Sequence, residues 1–435
     1  RVRPSLRRPL RRPLRRPLRA GDPSRVYYGL TGVSAFAYAL CFTLNMVFQV
    51  KVIGLEPLQM VLVGTMLELT VLLFEVPTGV VADLHSRRLS AIIGFALVGV
   101  GFALQGIIAT FAAAMVAQIV WGIGYTFTSG AVEAWVSDEV GDEHVHRVFT
   151  RGTQVELSAT IAGAVAAGAL GLIALRVPII AAGAFFVALA IGLLVVMPER
   201  HFAPTPRVER ETFGHLRDLF VAGLHVARRR KVVRAFLLVS LLVGLASEVV
   251  DRLWTVRVLD DFTMPAILAG DEAVAFAAFA LVGTTVSLLA SLASSRWLPR
   301  HVPEERPALP VVLAALTQVA AVVGIALLGN LWLVLAAVWV RSAAQAFAAP
   351  IERAWLNRNL NSSTRATVLS MNGQMNAVGQ VAGGPPLGAL ANVAGIPVAL
   401  LVSAAVQLPT AGLFARVRRL TGRPEREVDE VGTPS

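Results

Sequence analysis

Six ionisable side chains interrupt long apolar runs in this 435-residue chain. Glu68 and Glu75 share one run, Glu248, Asp251 and Arg252 share a second, and Arg341 stands alone in a third. Inside a bilayer such groups are costly, so each needs a partner, an aqueous cavity or a function. Glu68 and Glu75 are seven residues apart, within about 20° on one helical face, and both are predicted to point into a helix bundle. Glu75 lies nearer a membrane boundary, where pairing with a loop arginine and a functional role are equally open. Glu68 is deeper and is the better proton-carrier candidate, because a buried carboxylate loses the solvation that favours its charged form. Glu248, Asp251 and Arg252 fall at i, i+3 and i+4, so Glu248 and Arg252 can pair. That pair is a static brace or a gate that opens when a proton or substrate arrives. For Arg341 the candidate partners are Glu68, the Glu248/Asp251 cluster or an anionic substrate. Gln118 and Tyr125 join the candidate site, among further polar groups at cavity depth: Tyr38, Asn45, Gln49, Gln105, Gln345 and Gln374. Ordinary interhelical hydrogen bonds account for many of these. Their mixture with apolar walls suits amphiphilic molecules better than a sugar.

Other chemistry lacks its residues. There is no Gly-x-x-x-x-Gly-Lys loop to cradle phosphates. The seven histidines have no metal-ligand spacing, and no Ser/His/Asp set lies at a common depth. The single cysteine, Cys41, rules out an intramolecular disulfide. The expectation is a non-enzyme with no metal and no cofactor, using a proton gradient as its energy source.

The elements that must position these residues are apolar segments. The chain is 55% hydrophobic and 15% charged, too little charge to coat the surface of a soluble protein of this length. Its net charge of +11 is concentrated in residues 1–25, where ten arginines face one aspartate. The basicity therefore belongs to a tail, and nucleic acid is not an expected partner. That tail repeats Arg-Arg-Pro-Leu and is predicted to be disordered, with proline too frequent for a helix. Contact with anionic lipid is one reading of it. An artefact of translation-start assignment is the favoured one, since the chain opens with Arg.

Twelve segments near the ~20 residues a bilayer requires follow, at 26–50, 58–82, 89–108, 110–135, 152–172, 177–197, 234–258, 273–295, 309–328, 331–351, 366–391 and 396–415. Arginines crowd one set of connections: Arg87 and Arg88, Arg147 and Arg151, the 198–233 loop, Arg296 and Arg300, Arg353 to Arg365. The positive-inside rule puts that side and both termini in the cytoplasm. The predicted organisation is a basic tail (1–25), a six-helix bundle (26–197), a cytoplasmic linker with an amphipathic helix (198–233), a second bundle (234–415) and a C-terminal tail (416–435). Phe127, Trp135, Gln154, Gly163 and Gly168 recur 220 residues later as Phe347, Trp355, Gln374, Gly383 and Gly388, with Glu133 answered by Glu352. The predicted fold is an all-α integral membrane protein of twelve transmembrane helices, as two six-helix bundles related by pseudo-two-fold symmetry. Such repeats are found in transporters that rock one half against the other. Gly163, Gly168, Gly383, Gly384, Pro385 and Gly388 are the expected helix-packing positions. Glu133 and Glu352 are expected to hold equivalent structural places at the cytoplasmic ends of the repeat.

Between segments two and three, Gly79, Asp83, Arg87 and Arg88 are spaced as in the loop motif of the major facilitator superfamily, which the chain resembles. Leu84 and Ser86 replace that motif's first basic residue and second glycine. The resemblance implies that these residues form a cytoplasmic latch, in which Asp83 faces the start of segment eleven near Arg365. Glu75, Pro77, Thr78 and Gly79, then Ser129 to Trp135, then Arg365 to Ser370, look like a bacterial drug-efflux-type branch. The implied function is proton-coupled efflux of amphiphilic compounds by alternating access. An importer of a metabolite and a non-transporting membrane sensor are the alternatives. The implied setting is the bacterial cytoplasmic membrane; the partners are a small molecule, protons and lipid, and the protein is a monomer.

Overall fold

The computed structural model describes residues 21–204, 230–268, 270–301, 308–358, 360 and 362–421. The repetitive tail, the predicted amphipathic helix within 198–233 and the last residues lie outside the described residues. Every regular element among the described residues is helical. Helix α1 is Pro23–Phe48, continued by a π-helical turn, Gln49–Ile53, that ends at Gly54 with φ 74°. Then come α2 Pro57–Leu84, α3 Arg87–Ile107, α4 Phe111–Thr128, α5 Ala131–Val140, α6 Asp142–Gly171 and α7 Arg176–Val196. The second half comprises α8 Lys231–Asp261, α9 Glu272–His301, α10 Ala308–Leu327, α11 Leu331–Arg358, α12 Ser362–Ala394, α13 Ile396–Gln407 and α14 Pro409–Thr421.

Helix starts follow their local chemistry. Asp22 accepts from the amide of Ser24 ahead of Pro23, and Glu56 forms a capping box with Gln59 ahead of Pro57. Ser86 and Thr110 cap α3 and α4. Each cap satisfies an amide that a helix start leaves without an intrahelical partner. Eleven helical stretches are long and apolar enough to cross a membrane. The twelfth expected segment is α12, whose 33 residues include Asn372, Gln374, Asn376 and Gln380. Two expected segments are broken helices. Segment four divides into α4 and α5 at Gly130, whose φ of 72° is cheap only for glycine. Segment twelve divides into α13 and α14 at Leu408. Helix α6 begins ten residues before the expected 152, because hydropathy marks where lipid ends and not where a helix ends.

Within the first half, α1 packs on α6 and α7, α3 on α4 and α7, and α2 on α4. Within the second, α8 packs on α12 and α13, and α11 on α9 and α10. Small residues allow the close approaches. Gly163 sits on the backbone of Phe36, and Gly379 and Gly383 sit on the backbone of α8 around Leu241 and Leu245. A methyl group at any of these would collide with main chain, so the helices would have to separate. Pro385 and Pro386 lie inside α12 without ending it.

The halves meet chiefly through α2 against α12 and α6 against α9. Gly384 and Gly388 face Val61 and Leu58, and Gly168 faces Ala277. All of this lies toward the end that carries Glu56. There the amide of Leu58 donates to Asn392 at 2.9 Å, Asn392 donates to Glu56 at 3.0 Å, and Lys51 pairs with Glu272 at 2.8 Å. At the same interface Gly64 leaves room for the Glu248 carboxylate and the Arg252 guanidinium. At the opposite, arginine-rich end Gly79 has nothing within 4 Å of where a side chain would begin. The seal at the Glu56 end therefore depends on Gly64. In a Cys41→Ser background, cysteines at positions 58 and 392 are expected to cross-link readily. Adding Gly64→Val should reduce that cross-linking several-fold, measured by gel shift under a mild oxidant. Undiminished cross-linking would show that the seal does not depend on Gly64.

Candidate functional site

Between the halves lies a cavity of about 610 Å³. Helices α1, α6, α8, α9, α10 and α11 all contribute to its lining. Trp254, Phe276, Phe279 and Trp339 provide aromatic wall, with Trp254 and Phe276 centred 5.8 Å apart. The indole of Trp339 donates to the carbonyl of Phe279 at 3.1 Å, which fixes its ring. Asp251 and Arg341 are the charged pair of the lining, and Arg341 Nη1 donates to Asp251 Oδ1 at 2.7 Å. The arginine side chain is 11% exposed and the aspartate 53%, so the guanidinium is enclosed while the carboxylate meets the cavity. The Nε of Arg341 and the hydroxyl of Thr255 are buried without a partner among the described residues. An apolar, aromatic cavity with a few convergent polar groups is the usual form of a small-molecule site. This one can take an amphiphile whose charged group bridges or replaces the ion pair.

Of the candidate partners for Arg341, the structure selects Asp251. Glu248 instead pairs with Arg252, one turn further along α8, and both are buried. Arg252 Nη1 also lies 3.9 Å from the sulfur of Met46, and Gly64 faces both members of the pair across the interface. Glu68 is partly buried on α2 one turn from Gly64, within electrostatic reach of Glu248, Arg252 and Glu75. No ion pair or hydrogen bond reaches its carboxylate among the described residues. Glu75 is exposed toward the arginine-rich end, within electrostatic reach of Glu68. Tyr125 is also exposed there, in electrostatic contact with Glu75 and Glu68.

Gln118 is turned into the core of the first half. It bridges Gln105 and Trp121 in a buried network that continues to Asn45. That network ties α1, α3 and α4 together, away from the central cavity. The loop residues Gly79, Asp83, Arg87 and Arg88 are not gathered at one point. Arg87 pairs with Asp138 on α5 and donates to the carbonyl of Ala134 at 3.0 Å. Arg88 donates through its backbone to Glu199 at 3.0 Å and through its side chain to the carbonyl of Leu194 at 2.6 Å. Asp83 is 51% exposed and lies 3.9 Å from Arg87. Glu133 and Glu352, expected to be equivalent, differ: Glu133 is exposed, whereas Glu352 borders a cavity in the second half. The break at Gly130 redirects α5, and α11 has no such break.

Sequence reasoning missed the aromatic wall, the Lys51–Glu272 pair and the partner of Arg87. Aromatic residues in apolar helices look alike whether they face lipid or a cavity, so Trp254 and Phe276 carried no signal. Asp138, beside Glu139 and near Glu133, offered an acidic cluster across from the paired arginines, which was legible in principle.

The geometry agrees with comparisons to known proteins. Over residues 30–322 the chain matches the model of the Major Facilitator Superfamily. It is 25% identical over 202 residues to an uncharacterised MFS-type transporter, YxaM, of Bacillus subtilis (strain 168); that match covers 45% of this chain and 49% of YxaM. The fold is similar to that of the nucleoside transporter NupG, in a substituted form, with a TM-score of 0.76, 14% identity, 91% of this chain and all of that one. A bacterial homologue of the human lysosomal transporter Spinster, inward-facing and unoccupied, superposes with a TM-score of 0.68 at 14% identity, over 91% of this chain and 97% of that one. A POT family transporter in complex with 5-aminolevulinic acid gives 0.69 at 13% identity, over 92% and 96%. At such identities the likeness shows the fold alone. The family match covers well over half of the sequence, and the chain belongs to the Major Facilitator Superfamily.

Proposed function

We propose that this protein is a secondary active transporter that expels small amphiphilic molecules by alternating access, coupled to protons. The observation that carries this reading is the cavity between the halves, which holds the Asp251–Arg341 pair, with cross-half polar contacts found, among the described residues, at the Glu56 end. The charge bias of the connections supports placing the arginine-rich end in the cytoplasm of a bacterium, with both termini on that side. In that orientation the sealed end faces outward and the cavity opens inward. Glu68 is the proposed proton carrier, lying between the sealed interface and the open end without a partner of its own. Arg341 favours a second reading. Its enclosed guanidinium, with an unpartnered Nε, also fits import of a metabolite bearing an anionic group.

Purified protein in liposomes with an imposed pH gradient, assayed against a panel of amphiphilic dyes, tests the primary reading. Glu68→Gln is expected to abolish gradient-driven dye movement while substrate exchange in the absence of a gradient persists. Dye movement indifferent to collapsing the gradient would remove proton coupling. In the same assay Asp83→Asn should slow turnover without changing dye affinity. Normal turnover in that variant would remove the latch. Asp251→Asn and Arg341→Gln separate the two readings. If export of cationic dyes is the function, Asp251→Asn should raise the apparent KM about 10-fold, the loss of ~1.4 kcal/mol of binding. If uptake of an anion is the function, Arg341→Gln should show the larger effect.

A further inference from the structure

A second cavity, of about 530 Å³, lies wholly within the second half, away from the interface. Helices α8, α10, α11, α12, α13 and α14 enclose it toward the arginine-rich end. Its wall carries Glu352, and no hydrogen bond or ion pair reaches that carboxylate among the described residues. Arg353, the next residue on the helix, also borders the chamber, but it is exposed and no ion pair joins the two among the described residues. Around Glu352 the lining is polar and amide-rich, including Gln318, Gln345, Asn372 and Gln407. The hydroxyl of Ser240 donates to Asn372 Oδ1 at 2.7 Å, which fixes that amide at the wall. Phe236 and Phe414 supply aromatic faces, packed with Trp355 in a three-ring cluster.

The first half fills the matching position differently. Asn372 stands 220 residues after Gly152, and Tyr27 packs its ring on Gly152 and against Phe149 at 5.8 Å. An aromatic side chain thus occupies in one half the position at which the other half presents an amide and a void. A carboxylate that forms no ion pair within a membrane protein is expensive unless it meets a counter-ion. Amide acceptors and aromatic faces beside it complement an ammonium group, which has three donors and is drawn to ring faces.

We propose that this chamber is a separate binding site for a small protonated amine, with Glu352 as its counter-ion. The site goes beyond the proposed transport reading and does not depend on it, because binding is measurable without transport. Three probes that share one fluorophore test it: dansylcadaverine, its N-acetyl derivative and dansylglycine, which are cationic, neutral and anionic. Fluorescence anisotropy on the full-length protein in nanodiscs at pH 8 gives the affinities. Dansylcadaverine should bind at least about 10-fold more tightly than the other two. Glu352→Gln should remove that preference. Gly373→Leu, at a lining position with nothing within 4 Å, should fill the chamber and weaken cation binding with the fold intact, as judged by size-exclusion profile. Because the Asp251–Arg341 pair of the central cavity could also attract a cationic dye, the chamber variants are made in an Asp251→Asn, Arg341→Gln background, which should itself leave the charge preference in place. The proposal is overturned if the three probes bind alike or not at all. It is equally overturned if the preference survives in both chamber variants, or is already lost in the central-cavity background.

Discussion

Glu248 and Arg252 can be buried between two helix bundles because Gly64 has no side chain. A buried ion pair repays its desolvation only when the geometry is close and other atoms complete its shell. Both partners are on α8, so the pair survives however the halves move. Its cover does not: Gly64 and Met46 belong to the first half. Separating the halves at the Glu56 end would admit water to the pair, and bringing them together strips that water away. The sealed state thus carries an electrostatic cost, offset by apolar contact of α2 with α12 and by the polar contacts among Glu56, Leu58 and Asn392. Two states of similar free energy are what alternating access requires, and in the proposed cycle this pair would be one of the terms that balances them.

Much of the architecture was legible in the sequence because lipid imposes few solutions. An apolar run of the right length must be a helix, and glycines that recur at a fixed offset mark helices that pack closely. Gly168, Gly383, Gly384 and Gly388 could be read in this way, and each lies against a neighbouring helix. The break at Gly130 was not legible, since glycine is common within membrane helices and only its backbone angle reveals the turn. Nor was the division of the charged groups. Spacing on one helix showed that Glu248 could reach Arg252, whereas the choice of Asp251 by Arg341 is a contact between α8 and α11 that no local pattern encodes.

The two halves descend from one pattern and have been filled differently. In the first half, Asn45, Gln105, Gln118 and Trp121 form a closed hydrogen-bond network, and Tyr27 fills the space beside Gly152. The second half presents Asp251, half exposed, on one cavity wall and Glu352, without an ion pair among the described residues, on another. A network with its donors and acceptors satisfied rigidifies, while polar groups left facing a void are available to ligands. By this criterion the network around Gln118 is structural, and the walls around Asp251 and Glu352 are where a ligand could bind.

That division bears on the loop motif between α2 and α3. Arg87 and Arg88 make their contacts within the first half, to Asp138, Ala134, Glu199 and Leu194. Ser86, where the family pattern has glycine, caps α3 and donates to Glu199 at 2.7 Å. The basic part of the motif therefore braces the end of α3 against α5 and the segment after α7. Asp83, half exposed, keeps only a 3.9 Å ion pair with Arg87. A latch built on one carboxylate at a helix N-terminus contributes only ~0.3–1 kcal/mol at an exposed site. So weak a latch, if Asp83 forms it, would bias the equilibrium between states without locking it, as the proposed turnover requires.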